Sequence, residues 1–130
     1  MAVNPEEIMN IRILIVDDEA DIAQGIHDYL EDESTYNVSV AFSGEDGLET
    51  LEEFRPDICI VDMRLPGING NEYIIRAHEK LPAIRFIIHT GSMDYTLPAE
   101  LLQIGITTEF VLNKPVCDMS IFLEKIEQLL

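Results

Sequence analysis

Asp62 ends an unbroken apolar run, Ile58-Cys59-Ile60-Val61, and the turn residues Pro66-Gly67 follow close behind. Consecutive Ile, Cys and Val without polar alternation read as a strand buried on both faces. The carboxylate is therefore expected at the carboxyl end of a central strand, half out of the core. An unpaired charge is costly there, so partners must come from elsewhere in the chain. Three other strand ends supply them. Asp17 and Asp18 close the run Ile11 to Val16, Thr90 closes Ile84 to His89, and Lys114 follows Phe110 to Leu112. In a parallel sheet all four ends lie on one edge, with strands ~4.8 Å apart, so their side chains can converge. Three carboxylates that close repel, by about 4 kcal/mol for a pair ~4 Å apart at an effective dielectric of about 20. A divalent cation reverses that sign, and an all-oxygen donor set suits Mg2+ better than zinc. Lys114 can pair with Asp62 at rest, or with an anion attached to it. Thr90 offers a hydroxyl, and Gly91 leaves room for a backbone amide. Together these are the parts of a phosphoryl-transfer site in which Asp62 attacks phosphorus and becomes an aspartyl phosphate.

The elements that must position these groups alternate regularly. After a short leader, residues 1–10, the first strand stops at Asp17-Asp18-Glu19. A helix follows with Ile22, Ile26 and Tyr29 or Leu30 at helical spacing, and the acids at its start suit the positive end of its dipole. Tyr36 to Ala41 alternates and reads as a second strand, nearer an edge. Ser43-Gly44-Glu45-Asp46 opens the next helix as a capping box, with Leu48, Leu51 and Phe54 turned inward. The third strand spans about Asp57 to Asp62. Tyr73, Ile74 and Ala77 mark a third helix, stopped by Pro82. Beyond the fourth strand, Pro98 suits the first turn of a short helix holding Leu101, Leu102 and Ile104. The last helix carries Met119, Phe122, Ile126 and Leu129 on one stripe. Strands alternating with helices imply right-handed crossovers and a parallel sheet covered on both faces. Ligands of such sheets bind outside the carboxyl ends of the strands.

Composition narrows the function. The chain has 130 residues, which suits one domain. Its formal net charge of -17 argues against direct binding of nucleic acid or an anionic membrane, and favours cations or basic partner surfaces. Cys59 and Cys117 read as small core hydrophobes, not as a disulfide or metal pair. With no signal peptide or long apolar span, the expected location is the cytoplasm.

Four motifs taken together resemble a response-regulator receiver domain of the two-component signalling type. They are Val16-Asp17-Asp18-Glu19, Val61-Asp62-Met63-Arg64-Leu65-Pro66-Gly67-Ile68-Asn69-Gly70, Thr90-Gly91 and Lys114-Pro115. The resemblance covers residues 11–130, in the family's order and spacing. It implies an α/β, flavodoxin-like, doubly wound five-stranded parallel sheet of order 2-1-3-4-5 with five helices. It makes Asp62 the phosphoacceptor and Asp18 and Asp62 direct ligands of Mg2+. The Arg64 carbonyl becomes the backbone ligand, and Asp17 the acid that reaches the metal through water. Thr90 and Lys114 would bind the phosphoryl oxygens and carry the switch. The phosphodonor would be a phosphohistidine on a sensor histidine kinase or phosphotransfer protein, acting toward an unassigned downstream partner or output domain. The domain would not be an enzyme with an external substrate. It would catalyse only its own phosphorylation and dephosphorylation.

The chain departs from the family in places. Receivers often carry an aromatic residue three positions before the lysine; here Val111 stands there, and Phe110 one residue earlier. Residues 92–108 are also unlike the family's longer, plainer fourth helix. Arg64 and Ser92 occupy positions that tune phosphate lifetime in the family. Singly, each motif has a bland reading: acids at a helix start, ordinary turns, and Glu19 as part of a helix N-terminus. His27 and His78 read as surface residues. His89 directly precedes Thr90 and can tune the site. Ile121, Leu123 and Leu130 exceed one core stripe and leave room for a homodimer. Two alternatives stay open: an Mg2+-dependent phosphohydrolase with Asp62 as nucleophile, and a degenerate receiver scaffold that binds a partner without phosphorylation.

Overall fold

A computed structural model describes residues 10–130. The expected leader, apart from Asn10, lies outside the described residues. Five strands form one sheet: β1 (Arg12–Val16), β2 (Asn37–Ala41), β3 (Ile58–Val61), β4 (Arg85–Thr90) and β5 (Val111–Asn113). Five α-helices alternate with them: α1 (Ala20–Glu33), α2 (Gly44–Phe54), α3 (Gly70–Lys80), α4 (Ala99–Ile104) and α5 (Ser120–Leu129). The strand order is 2-1-3-4-5 and every pairing is parallel, as expected.

The apolar runs take the centre of the sheet because their side chains are buried on both sides. β3 is buried along its whole length, and β1 everywhere but Arg12. Alternate residues then feed two cores. Leu14, Val16, Cys59, Val61, Phe86 and Ile88 face α2, α3 and α4 through Leu51, Tyr73, Ala77 and Leu101. Ile13, Ile15, Ile58, Ile60 and Ile87 face α1 and α5 through Ala23, Ile26, Leu30, Phe122 and Ile126. The edge strands β2 and β5 are only partly covered, and β2 lies at an edge as its alternation indicated.

Local chemistry starts two helices, one at Ser43 as the sequence indicates and one at Asn69, which it did not single out as a cap. Ser43 Oγ accepts from the Asp46 amide at 3.1 Å, and Asn69 Oδ1 from the Glu72 amide at 2.9 Å. Pro98 is the cap residue of α4 and not its first turn. Leu101 is buried under that helix, but Leu102 points to solvent, because a helix this short has one inward turn. Phe110 is not in the fifth strand. It closes a 3-10 turn (Thr108–Phe110), which delays β5 by one residue.

The cysteines divide. Cys59 is buried with Sγ 3.7 Å from the Tyr73 hydroxyl, and burial pushes its thiol up to about 12. Cys117 is exposed, contrary to the core reading, because it lies in the loop before α5. Among the described residues, no helix is long and apolar enough to cross a membrane.

Gly70 lets α3 begin against the loop that carries Asp62. Its amide donates to Met63 O at 3.1 Å. A Cβ there would run into the Asp62 carbonyl oxygen and lie 2.7 Å from Met63 Cα, both backbone atoms that cannot step aside. Gly70→Ala is therefore expected to destabilise the fold by about 2–3 kcal/mol. Urea unfolding checks this, and a midpoint equal to wild type would contradict it.

Candidate functional site

The parallel sheet delivers Asp17, Asp18, Asp62, Thr90 and Lys114 to one edge, as the strand ends indicated. Asp17 and Asp18 follow β1 directly, and Asp62 follows β3. The Asp62 amide donates to Val16 O at 2.9 Å, and the Lys114 amide to Thr90 O at 2.8 Å. Ladder bonds thus run past the strand ends and hold the reactive residues in register.

Asp17, Asp18 and Asp62 each offer a carboxylate oxygen, and these oxygens all lie within 4.8 Å of one another. Lys114 reaches into them. Its Nζ donates to Asp17 Oδ2 at 2.9 Å, Glu19 Oε1 at 3.0 Å and Asp62 Oδ2 at 3.2 Å. Each remaining carboxylate oxygen is positioned by its own turn. Asp17 Oδ1 accepts from the Glu19 amide at 2.9 Å, and Asp62 Oδ1 from the Arg64 amide at 3.2 Å.

Two expectations need correction. Asp62 is not half out of the core; only 3% of it is exposed, with the Lys114 ammonium against one oxygen. Solvent meets the cluster at Asp18, which is exposed. Glu19 does more than start a helix. Its side chain makes no capping bond to α1 and instead holds Lys114. The signal was present as a third consecutive acid, Asp17-Asp18-Glu19, but only the fold brings Lys114 across to it.

Burial pushes the Asp17 carboxyl up from its ordinary value, against the Glu19 amide and the Lys114 ammonium, which pull it down. Burial also works against the Lys114 charge. The hydrogen bonds to Asp17 and Glu19 overcome it and hold the ammonium above its ordinary value. Lys114 therefore stays charged at neutral pH, and its contribution to stability is lost only as strongly alkaline pH strips the proton.

Thr90 and His89 leave β4 on opposite faces. Thr90 is fully buried, and its Oγ1 accepts from the Ser92 amide at 3.2 Å. Ile88 pairs with Val111, so Thr90 shares the face of Val111 and of the α2–α4 core. Phe110 packs in the other core, with Lys125 Nζ 5.6 Å from its ring centre. It cannot replace the aromatic residue missing at 111. In the loop after β4, Tyr95 packs against the α2–α4 core, which also holds Tyr73 and Phe86, and its hydroxyl donates to Asn71 Oδ1 at 2.8 Å. His89 faces the α1–α5 side, edge-on to Phe122 with ring centres 5.2 Å apart. Arg64 and Ser92 flank the site in the loops after β3 and β4, with the Arg64 residue exposed.

Comparison with known proteins agrees with this geometry. Residues 13–127 match the family described as response regulator receiver domain. The DNA-binding response regulator MtrA of Mycobacterium bovis is 32% identical over 96 residues, covering 72% of this chain and 42% of MtrA. Response regulator GacA of Pseudomonas viridiflava is 34% identical over 96 residues, 73% of this chain and 45% of GacA. The chain thus spans less than half the length of these relatives. A CheY-like receiver domain from Methanospirillum hungatei superposes with TM-score 0.79 at 33% identity, covering 92% of this chain and 93% of that one. TrrA of Thermotoga maritima, solved in complex with Mg(2+)-BeF, superposes with TM-score 0.78 at 26% identity, covering 92% and 99%.

The raised Asp17 value carries a sign. Ionising Asp17 opposes folding above its folded-state pKa, and that opposition fades as pH falls through it. Without divalent cations, Asp17→Asn is expected to raise Tm at neutral pH, because it removes a buried carboxylate whose ionisation burial opposes. The gain should shrink at acid pH. Thermal unfolding at the two pH values measures it, and a variant less stable than wild type at both would reverse the assignment.

Proposed function

The chain belongs to the response regulator receiver domain family of two-component signalling, and on that premise we propose that Asp62 is its phosphoacceptor and that the domain switches partner binding when phosphorylated. The observation that carries this reading is the convergence of Asp17, Asp18 and Asp62 on Lys114 at the carboxyl edge of the sheet. The donor is a phosphohistidine on a sensor histidine kinase or phosphotransfer protein. An Asp62 carboxylate oxygen attacks the phosphorus, the P–N bond breaks, and its electron pair leaves with the histidine ring. Hydrolysis reverses the state: water attacks the phosphorus, the bond to Asp62 breaks, and inorganic phosphate is released. The domain catalyses these two steps on itself and has no further substrate.

Three oxygen donors within 4.8 Å, one of them open to solvent, fit a hard divalent cation. Asp18 and Asp62 would hold Mg2+ directly, the Arg64 carbonyl would add a backbone ligand, and Asp17 would act through water. Bound there, Mg2+ supplies positive charge to the transferring phosphoryl group. The complex described for TrrA supports this choice of ion.

This chain's own residues do the rest. The Arg64 amide, already on Asp62 Oδ1, keeps that oxygen oriented and leaves Oδ2 as the atom freed when Lys114 moves. Lys114 then follows the negative charge onto the phosphoryl oxygens. The Thr90 hydroxyl leaves its turn to donate to the same group, which releases the Ser92 amide. The loop that follows β4 moves with it, and Tyr95, tied to Asn71 on α3, carries that movement to the surface.

The partner surface is basic or neutral. The net charge of -17 sets this domain against direct contact with nucleic acid, so the DNA binding named for MtrA belongs to that longer protein. A cytoplasmic setting suits the kinase reaction. A homodimer would use the α5 face, where Ile121 and Leu123 are half-covered and Leu130, just past the helix, is exposed. The phosphohydrolase alternative is disfavoured because the exposed cation Arg64 stands where that chemistry needs an acid behind the nucleophile.

Asp62→Asn should abolish labelling by acetyl phosphate in intact-mass measurements. Equal labelling of the variant would refute the assignment. Mg2+ at about 100 times its Kd should stabilise the wild-type domain by about 2.7 kcal/mol. Asp18→Asn should lose most of that increment, and calorimetry with and without EDTA reads both.

A further inference from the structure

Lys114 Nζ carries three hydrogens, and three carboxylates take them: Asp17, Glu19 and Asp62, at 2.9, 3.0 and 3.2 Å. The three acceptors are not equivalent. Asp17 and Asp62 are buried and belong, with Asp18, to the oxygen cluster that fits a divalent cation. Glu19 is not part of that cluster, and its side chain is 56% exposed.

The buried oxygens of the cluster already carry donors. Asp17 Oδ1 and Asp62 Oδ1 accept backbone amides two residues on, those of Glu19 and Arg64. Tight turns fix these amides. The donor that can step back is the ammonium on Asp17 Oδ2 and Asp62 Oδ2. Like charges push it away from an arriving divalent ion. Yet the Lys114 side chain is only 9% exposed, and a buried ammonium without a partner is costly. It needs an acceptor outside the cation's ligand set.

Glu19 is placed to be that acceptor. Its backbone is pinned from both sides: its amide donates to Asp17 Oδ1, and its carbonyl accepts from the Ala23 amide at 3.0 Å. Its side chain is left over, since Glu19 stands at the N-cap of α1 yet makes no capping bond. The side chains that cap well, Ser, Thr, Asp and Asn, are shorter. The longer Glu side chain reaches Lys114 instead. Beside this pair a groove of about 480 Å³ opens between α1 and α5, lined by Glu19, Lys114 and His89 among others. The ammonium therefore has open space on the Glu19 side. His89 does not hold it, because both ring nitrogens are buried without a hydrogen-bond partner.

We propose that Glu19 is a positioning residue, which keeps Lys114 at the edge of the site when the oxygens of Asp17 and Asp62 turn to a divalent cation. The inference rests on the reading of that cluster as the Mg2+ site. It adds a part the cluster alone lacks, a carboxylate that belongs to the lysine and not to the metal. Lys114 then waits beside Asp62, within reach of a phosphoryl group formed there.

The probe is Mg2+ itself, titrated into the full chain by calorimetry with no phosphodonor present. Glu19→Gln should weaken Mg2+ binding by about tenfold, within the span of couplings measured inside one ion-pair network. Losing any nearby negative charge weakens a cation, so Asp21→Asn is the control. Asp21 is exposed and is not among the carboxylates on Lys114, and its loss should cost about threefold at most. In a Lys114→Met background the Glu19→Gln effect should fall to that same level, because it runs through the lysine. Where Lys114→Met does not fold, the ammonium itself reports: its NMR signal should survive saturating Mg2+ in the wild type and broaden through exchange with water in Glu19→Ala. A Glu19→Gln effect no larger than that of Asp21→Asn, an equal effect with and without Lys114, or an ammonium signal as sharp in Glu19→Ala as in the wild type would each overturn the proposal. A wild-type chain that binds no Mg2+ would overturn the cation site and this inference with it. Normal Mg2+ binding without coupling between Glu19 and Lys114 overturns this inference alone.

Discussion

One buried ammonium holds the carboxyl edge of this sheet together. Lys114 Nζ is shared among Asp17, Glu19 and Asp62, all within 3.2 Å, while its own side chain is only 9% exposed. Four acids, counting Asp18, surround one base, so the site keeps a formal excess of three negative charges. Desolvation alone would expel a lysine from such a place, and the same desolvation raises Asp17. Mutual hydrogen bonding makes the arrangement tenable. The resting site is thus under-neutralised by design of its strand ends. That excess reaches solvent at Asp18.

The sheet also separates the consequences of any change at that edge. Residues 89 and 90 are adjacent in sequence yet face opposite helical layers, because successive strand residues alternate. Thr90 reports to the layer of α2, α3 and α4, where Tyr95 bonds Asn71. His89 reports to the layer of α1 and α5, where it meets Phe122. Lys114 borders both, since it continues β5 past Thr90 and also flanks the α1–α5 groove. The same lysine therefore links the Asp62 edge to both helical layers.

The 3-10 turn at Thr108–Phe110 decides which side of the sheet Phe110 occupies. By shortening β5 at its start, it turns Phe110 into the α5 core beneath Lys125 and leaves Val111 opposite Ile88. On the other side of the sheet a loop residue, Tyr95, packs against the α2–α4 core. It is anchored by a hydroxyl bond and not by strand pairing.

What the sequence determined by itself was whatever depends on local periodicity and chain order. The unbroken runs Ile13–Val16 and Ile58–Val61 specify central strands. The alternating helices specify parallel pairing, and parallel pairing puts Asp17, Asp62, Thr90 and Lys114 on one edge. Those inferences need only the period of a strand and the handedness of crossovers, so they survive without coordinates. Tertiary structure alone decided the quantities set by residues distant in sequence. These include the near-complete covering of Asp62, the recruitment of Glu19 by a lysine 95 residues away, and the exposure of Cys117. They also include the groove that leaves His89 without partners. Each depends on where a long, flexible side chain or a neighbouring helix comes to rest. Packing in three dimensions settles that, and no local pattern encodes it.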